Sequence, residues 1–374
     1  YMHIGVADLD NDGDLDIASA SYYTNNISFY LNNGTGYFSP PITISDSFLS
    51  PTSICLYDLD VNGTIDIIST SYSGNKISWF PNFGLGNFGS ELVLTTAVSN
   101  PIRLDVIDMN NDGLTDIWVS DNSSSPLKLY LNNGSTTYSA FINAVALPDM
   151  KDFVVYDLDN DGDLDFAAIK EVSFGVNFIT TFLNNGNLSP LFTPFSYPIT
   201  SVSPYSIDIA DINSDGWADL SYSDSEKIAW LPNSGGIIFG NEMTVSTEIY
   251  AGNYREICST DLNSDGFVDI IAISQTDNSA FWYVNNGSGI FSLPNYVVGL
   301  PYFHSRAVQV LDIDGDWMKD VVSANTGSLA WFKNDGTPDF GGANPVVLYT
   351  GAVSFFAADL DNDGDNDIAS VAPT

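Results

Sequence analysis

The sequence predicts an all-β chain folded as a β-propeller of four-stranded blades. Three observations carry that expectation. An acidic nine-residue pattern recurs eight times, at spacings of 47 to 54 residues. Each period holds four short strand-like runs and no helical periodicity, and four strands in about 50 residues suit a propeller blade. An Asn-Gly turn punctuates the periods at one fixed place, a strong hairpin signal.

The elements follow in order within a period. An apolar run enters the acidic pattern, as in Ile4-Gly5-Val6-Ala7 or Ser53-Ile54-Cys55-Leu56-Tyr57. A second run leaves it, as in Ile67-Ile68-Ser69-Thr70. After a polar loop comes an aromatic run that ends in the turn, Ile27-Ser28-Phe29-Tyr30-Leu31-Asn32-Asn33-Gly34. A fourth run closes the period, for example Pro41-Ile42-Thr43-Ile44. A parallel β-helix is excluded, because its rungs are far shorter than this period.

The first two runs appear eight times. The Asn-Gly run appears seven times, ending at Gly34, Gly84, Gly134, Gly186, Gly235, Gly287 and Gly336. The last period is therefore half a blade. A lone two-stranded hairpin is marginal in water, so this half is expected to pack as an eighth blade. Seven blades plus a stub is the alternative. Nothing breaks the series, so residues 1–374 are expected to form one propeller domain. No signal peptide is visible, and Tyr1 stands inside a strand-like run. The expectation is a portion excised from a longer secreted protein.

Charge narrows the function classes. There are 47 acidic against 10 basic residues, a net charge of −37, which repels a phosphate backbone and excludes nucleic acid as partner. A hydrophobic content of 44% argues against the disorder that acidity alone would suggest. No apolar run is long enough to span a membrane. Only Cys55 and Cys258 occur, so there is no disulfide framework. In an eight-blade ring they would lie on opposite blades, so free buried thiols are expected.

The acidic pattern suits a hard cation. Oxygen ligands at positions 1, 3 and 5, a Gly at 6, a backbone carbonyl at 7 and a carboxylate at 9 can surround calcium, which takes six to eight oxygens. Loop one offers Asp8, Asp10, Asp12, Asp14 and Asp16. Loop two offers Asp58, Asp60, Asn62, Thr64 and Asp66, and loop three Asp108, Asn110, Asp112, Leu114 and Asp116. Loop four has Asp157, Asp159, Asp161, Asp163 and Asp165. Loop five has Asp211, Asn213, Asp215, Trp217 and Asp219, and loop six Asp261, Asn263, Asp265, Phe267 and Asp269. Loop seven has Asp312, Asp314, Asp316, Met318 and Asp320, and loop eight Asp359, Asp361, Asp363, Asp365 and Asp367. About seven or eight calcium ions are expected. An EF-hand is excluded, because position 12 is never the Glu that its loop requires. Magnesium avoids all-protein cages. Loop seven is expected to be weakest or empty: Trp317 replaces the Gly, and Lys319 adds a positive charge.

The repeats resemble FG-GAP/VCBS repeats, which are found in bacterial surface proteins, fungal propeller lectins and the integrin α-subunit propeller. The acidic loops, the Asn-Asn-Gly turns and the pairs Phe88-Gly89, Phe239-Gly240 and Phe340-Gly341 carry the resemblance. It covers essentially the whole chain and implies a β-propeller. For function it is less specific, since one fold hosts many activities.

Catalytic material is thin. His3 and His304 are the only histidines, too scattered for a triad or a zinc site. Trp79, Trp230, Trp282 and Trp331 sit on third strands, where packing between blades accounts for them. The expected function is an extracellular binding or adhesion module for carbohydrate or protein ligands. The alternative is an enzyme resembling calcium-propeller polysaccharide lyases; a structural spacer of a surface appendage is a further reading. Cations supply a candidate ligand face. Arg103, Lys151, Arg255 and Arg306 stand at the starts of first strands, with His3 and Tyr205 at equivalent positions. They are expected at the end of the blades opposite calcium, ringing the mouth of a central channel.

Overall fold

The computed structural model describes residues 2–122, 127–134, 138, 142–145, 150–173, 176–184, 192–236, 238–247, 253–274, 276, 279–299, 305–325, 329–337, 340, 346–349 and 354–371. Among them the regular elements are all strands. They form seven antiparallel four-stranded sheets and one two-stranded hairpin, and each sheet takes four consecutive strands in chain order. This is the β-propeller blade that the sequence predicts. In repeat one the strands are Met2–Ala7, Asp16–Ser21, Asn26–Tyr30 and Ile42–Ser45. In the last period Ser354–Ala358 pairs with Asp367–Val371.

Second strands are buried on both faces. Asp66–Ser71, for example, is buried at every residue. A strand covered on both sides loses the in–out alternation of a half-exposed sheet. Repeat four departs from the common length. Its last three strands run over Asp165–Ser173, Val176–Asn184 and Phe192–Ile199, which accounts for the longest spacing in the series.

Two compact units emerge. One comprises Tyr1–Pro148 with Val353–Thr374, the other Asp149–Ala352. In each, the core lies between successive sheets. In the first unit Leu9, Ala18, Ile27 and Phe29 of repeat one pack on Phe48, Ile54, Ile67 and Phe80. The hairpin packs on repeat one in the same manner, through Leu360 and Ala369 against Ile4. In the second unit Trp282 packs with Val321, Phe332 and Phe340. Trp79, Trp230 and Trp282 are buried, as core packing requires, and Trp331 is half-buried. First strands are also tied side by side. The Ile54 N–H donates to His3 Nδ1 (3.2 Å), Ile207 N–H to Asp152 (3.1 Å) and Ser259 N–H to Asp208 (2.5 Å).

Two of the Phe-Gly pairs, Phe88-Gly89 and Phe239-Gly240, have a steric cause. Phe88 bridges to Asn82, and the Gly89 N–H donates to the Pro81 carbonyl at 2.7 Å. A Cβ on Gly89 would lie 2.9 Å from Pro81 Cγ, and one on Gly240 would lie 2.9 Å from Pro232 Cγ. Both thiols are free and partly buried, and desolvation pushes Cys55 and Cys258 up to about 12.

Candidate metal centres

Each acidic loop joins a first strand to a second, and all eight share one backbone form. Position 4 is left-handed throughout: Asn11 (φ 64°), Val61 (58°), Asn111 (53°), Asn160 (56°), Ser214 (61°), Ser264 (60°), Gly315 (72°) and Asn362 (60°). Position 6 also has positive φ; it is Gly in seven loops and Trp317, at 70°, in loop seven. Glycine bears such a φ without a steric cost, whereas an L side chain does not.

The carboxylates hold this shape. At position 1, Asp8 accepts from the N–H groups of Asp12 (3.2 Å) and Gly13 (3.0 Å). At position 5, Asp12 Oδ1 accepts from Asp14 N–H at 2.9 Å. In loops one to seven position 9 is fully buried and accepts backbone N–H groups from position 2 and from the third-strand Asn, whereas Asp367 of loop eight is half-buried and accepts from Leu360 N–H at 3.0 Å. Asp16 takes Leu9 N–H at 2.8 Å and Asn32 N–H at 2.8 Å. Desolvation outweighs these hydrogen bonds. It pushes Asp16, Asp66, Asp116 and Asp269 up to about 6, and Asp165 and Asp219 to about 7.

The Asn that ends each third strand is a hub the sequence reading passed over. Asn82 Nδ2 donates to Ile65 O of its own repeat (2.9 Å) and to Leu9 O of the preceding one (2.7 Å). Asn233, Asn285 and Asn334 reach back likewise to Leu158, Ile212 and Leu262. Asn32 reaches Leu360 of the hairpin at 2.5 Å. In these five repeats the receiver is the buried apolar residue at position 2. The turn Gly two residues after the Asn lies under position 7: a Cβ on Gly287 would come within 2.4 Å of Phe267, and one on Gly34 within 2.5 Å of Asp14.

Carboxylate oxygens converge to within 4.8 Å of one another in five loops. The trios are Asp8, Asp10 and Asp16; Asp58, Asp60 and Asp66; Asp157, Asp159 and Asp165; and Asp359, Asp361 and Asp367, which are positions 1, 3 and 9. In loop seven the trio is instead Asp312, Asp314 and Asp316, positions 1, 3 and 5. Asp159 Oδ1, Asp314 Oδ1 and Asp359 Oδ1 are buried without a hydrogen-bond partner. Burial and the neighbouring carboxylates raise Asp10 and Asp159. An all-oxygen donor set with mutual repulsion and unused buried lone pairs fits a hard divalent cation, so these clusters can hold metal ions. In loops three, five and six the third position is Asn110, Asn213 or Asn263, a neutral oxygen donor with the same backbone setting.

Loop seven departs from the expectation in one respect. Lys319 Nζ is spent on Thr260 Oγ1 at 2.5 Å. The cation at the carboxylates is Lys333, paired with Asp314 and, at 3.1 Å, with Asp316.

The expected ligand face is partly engaged elsewhere. His3 holds the next first strand, and burial, with Arg103 second, keeps its pKa below the ordinary value. Arg103 is exposed, Lys151 pairs with Glu171 at 2.9 Å, and Tyr205 is half-buried. The side chains of Arg255 and Arg306, and all of His304, lie outside the described residues. Lysines of the second-to-third connections are bound by carboxylates: Lys76 by Glu91, Lys128 by Asp121 (2.5 Å) and Lys227 by Glu242. Burial works to raise Glu242, but hydrogen bonds from Lys227, Thr200 and Tyr222 outweigh it and lower its pKa.

Blades of four antiparallel strands with acidic first-to-second loops define a repeat β-propeller. Comparison with known proteins names the repeat. Matches to the FG-GAP-like repeat cover residues 8–69, 58–119, 108–168, 157–221, 261–317 and 312–370, and the chain belongs to that family. It is similar to integrin alpha-7 of Rattus norvegicus, 29% identical over 151 residues, covering 35% of this chain and 13% of that protein. The human integrin alpha-7 is likewise 29% identical over 151 residues, with 35% and 12% covered. The chain thus spans about an eighth of the length of these relatives. Among solved structures, a lectin of Agrocybe aegerita that recognises non-reducing terminal N-acetylglucosamine superposes with a TM-score of 0.55. It is 20% identical, and 79% of each chain is covered. At that identity the likeness speaks for the fold alone. Among the described residues no helix is long and apolar enough to cross a membrane.

Proposed function

We propose that residues 1–374 form a single calcium-stabilised propeller domain that acts, secreted or on a cell surface, as a binding and adhesion module for a glycan or an extracellular protein. The observation that carries this reading is the use of charge in the loops. Their carboxylates fix backbone N–H groups and converge in trios, a structural deployment rather than a catalytic one. About seven or eight calcium ions would neutralise them and, by binding only the folded state, stabilise it by mass action. That role replaces the disulfides the chain lacks. The similarity to integrin alpha-7 agrees with recognition as the activity.

Ligand contacts are assigned to Arg103, Lys151, Tyr205, Arg255 and Arg306 at the starts of first strands. Arginine's planar fork suits carboxylate or hydroxyl-rich ligands. His3 supports this end through its hydrogen bond to Ile54. The test is a glycan array and an extracellular-protein panel, each run with calcium and with chelator. Chelation should lower the melting temperature reversibly and abolish binding. Changing Arg103, Arg255 and Arg306 together to Ala should abolish binding with calcium content unchanged. Binding that survives this change, but falls with Phe83→Ser and Leu85→Ser on the exposed turn of repeat two, would move the ligand to the other end of the blades.

A further inference from the structure

We infer that Lys333 is a tethered cation that takes the place of the metal ion in loop seven, so that this loop is closed by the chain itself. The inference rests on the reading of the other loops as metal sites. Its basis is where the ammonium sits. Lys333 Nζ is paired with Asp314 and Asp316, two of the three carboxylates that converge in this loop. The third, Asp312, is engaged in holding the N–H groups of Asp316 (3.2 Å) and Trp317 (2.7 Å).

The backbone fixes the position from which Lys333 reaches. The next residue, Asn334, donates its N–H to Asp320 Oδ1 at 2.7 Å, and its side chain to Lys319 O at 3.0 Å and Leu262 O at 2.9 Å. Every repeat anchors its third strand through this Asn, so the preceding residue always stands beside the acidic loop. In the other repeats that residue is Leu31, Pro81, Leu131, Leu183, Pro232 or Val284. A charge occurs there only in repeat seven.

Three features of loop seven agree. Its converging oxygens come from positions 1, 3 and 5, where the other trios use 1, 3 and 9. Its position 6 carries Trp317 at φ 70°, and its glycine has moved to position 4. Its second lysine, Lys319, is occupied with Thr260 and does not compete for the carboxylates. An ammonium has three donors and no acceptor, so it satisfies carboxylates as a point charge but cannot share their lone pairs with a dication. A calcium ion would have to displace Lys333 or lie beside a like charge.

Native mass spectrometry of the calcium-loaded chain tests this. Lys333→Leu, which restores the residue of repeat one, should bind one ion more than wild type. Asp314→Asn in the wild-type background should leave the ion count unchanged. If the Leu variant does not fold, Lys333→Gln serves in its place, and the Asp314→Asn arm is readable in either case. The inference is overturned if a folded Lys333 variant holds the wild-type number of ions, or if Asp314→Asn loses one. A wild type that binds ions but fails these arms leaves the calcium reading of the other loops standing. A wild type that binds none sinks both.

Discussion

Val61 is the position in the acidic loops where side chain and backbone disagree most. It occupies position 4 at φ 58° and is 78% exposed. Left-handed backbone costs an L residue about 1–2 kcal/mol, and a β-branched one is a true outlier there. Four of the other loops place Asn at this position, the non-glycine residue that tolerates it best. Asn11 adds a hydrogen bond to Gly63 O of the next loop at 3.0 Å, and the corresponding acceptor for position 61 is Gly113. Val61→Asn therefore relieves strain and offers a new exposed hydrogen bond. Against this stands the small part of the side chain that is covered, less than about 1 kcal/mol at about 25 cal/mol per Å². The net expectation is a gain of about 1–2 kcal/mol, a melting temperature higher by about 1–2 °C per kcal/mol for a domain of this length. Calcium-saturated thermal and urea melts would read it. The reverse change, Asn11→Val, should lose about 2 kcal/mol, because it adds strain and removes the bond to Gly63. If Val61→Asn is neutral or destabilising while Asn11→Val is tolerated, left-handed strain is not what distinguishes loop two.

Further expectations concern the ties between strands. Asn82→Ala strips the buried carbonyls of Leu9 and Ile65 of their donor and should cost about 3 kcal/mol by urea unfolding, with less than about 1 kcal/mol contradicting the hub role. Lys128→Met leaves Asp121 buried without its ammonium partner and should cost about 3 kcal/mol or more, and adding Asp121→Asn should recover most of it. His3 is held below its ordinary pKa by burial and then by Arg103, with Asp105 opposing, and is neutral when it accepts from Ile54. The unfolded chain then binds the extra proton first, so His3 stabilises above about pH 6.5 and that contribution is lost as pH falls through and below it. His3→Asn keeps an acceptor but does not titrate, so the variant should lose less stability than wild type between about pH 7.5 and about pH 5.5 in saturating calcium. Parallel pH profiles for the two proteins would refute this.

Strand order and loop placement were legible in the sequence because they depend on local pattern. The run Ser53 to Tyr57 lies inside the observed strand Pro51–Tyr57, and the run Pro41 to Ile44 falls, all but Pro41, inside Ile42–Ser45. What escaped was whatever depends on a partner many residues away. Asp66 reads as a metal ligand, yet it also accepts the N–H of Asn82, sixteen residues on. Nor does the local sequence pair Lys76 or Lys227, each of which meets a Glu fifteen residues later on the fourth-strand side of its repeat. The charge next to loop seven was read from its neighbour in sequence, Lys319, whereas the one that reaches the carboxylates is Lys333, brought in by the third strand. Aligning the repeats on their third-strand Asn, rather than on the acidic loop, would have exposed it.

The Phe-Gly signature shows how a paired constraint hides in a repeat. Where the residue before the third-strand Asn is proline, as at Pro81 and Pro232, the residue eight positions later is Gly89 or Gly240, because a Cβ would strike the ring at 2.9 Å. Where that residue is Leu31 or Val284, serine takes the place of glycine. Ser39 and Ser292 make the same backbone bond, at 2.7 and 2.8 Å, and each returns a hydroxyl to the preceding strand end, at 3.0 and 3.1 Å. Proline has no N–H to donate to such a hydroxyl. At Pro81 and Pro232 glycine follows for lack of space and of a donor, and at Leu31 and Val284 serine follows a residue that supplies both. In repeats two and five the glycine of the signature is thus set by its partner across the turn, whereas Gly341, which follows Lys333, lies outside the described residues.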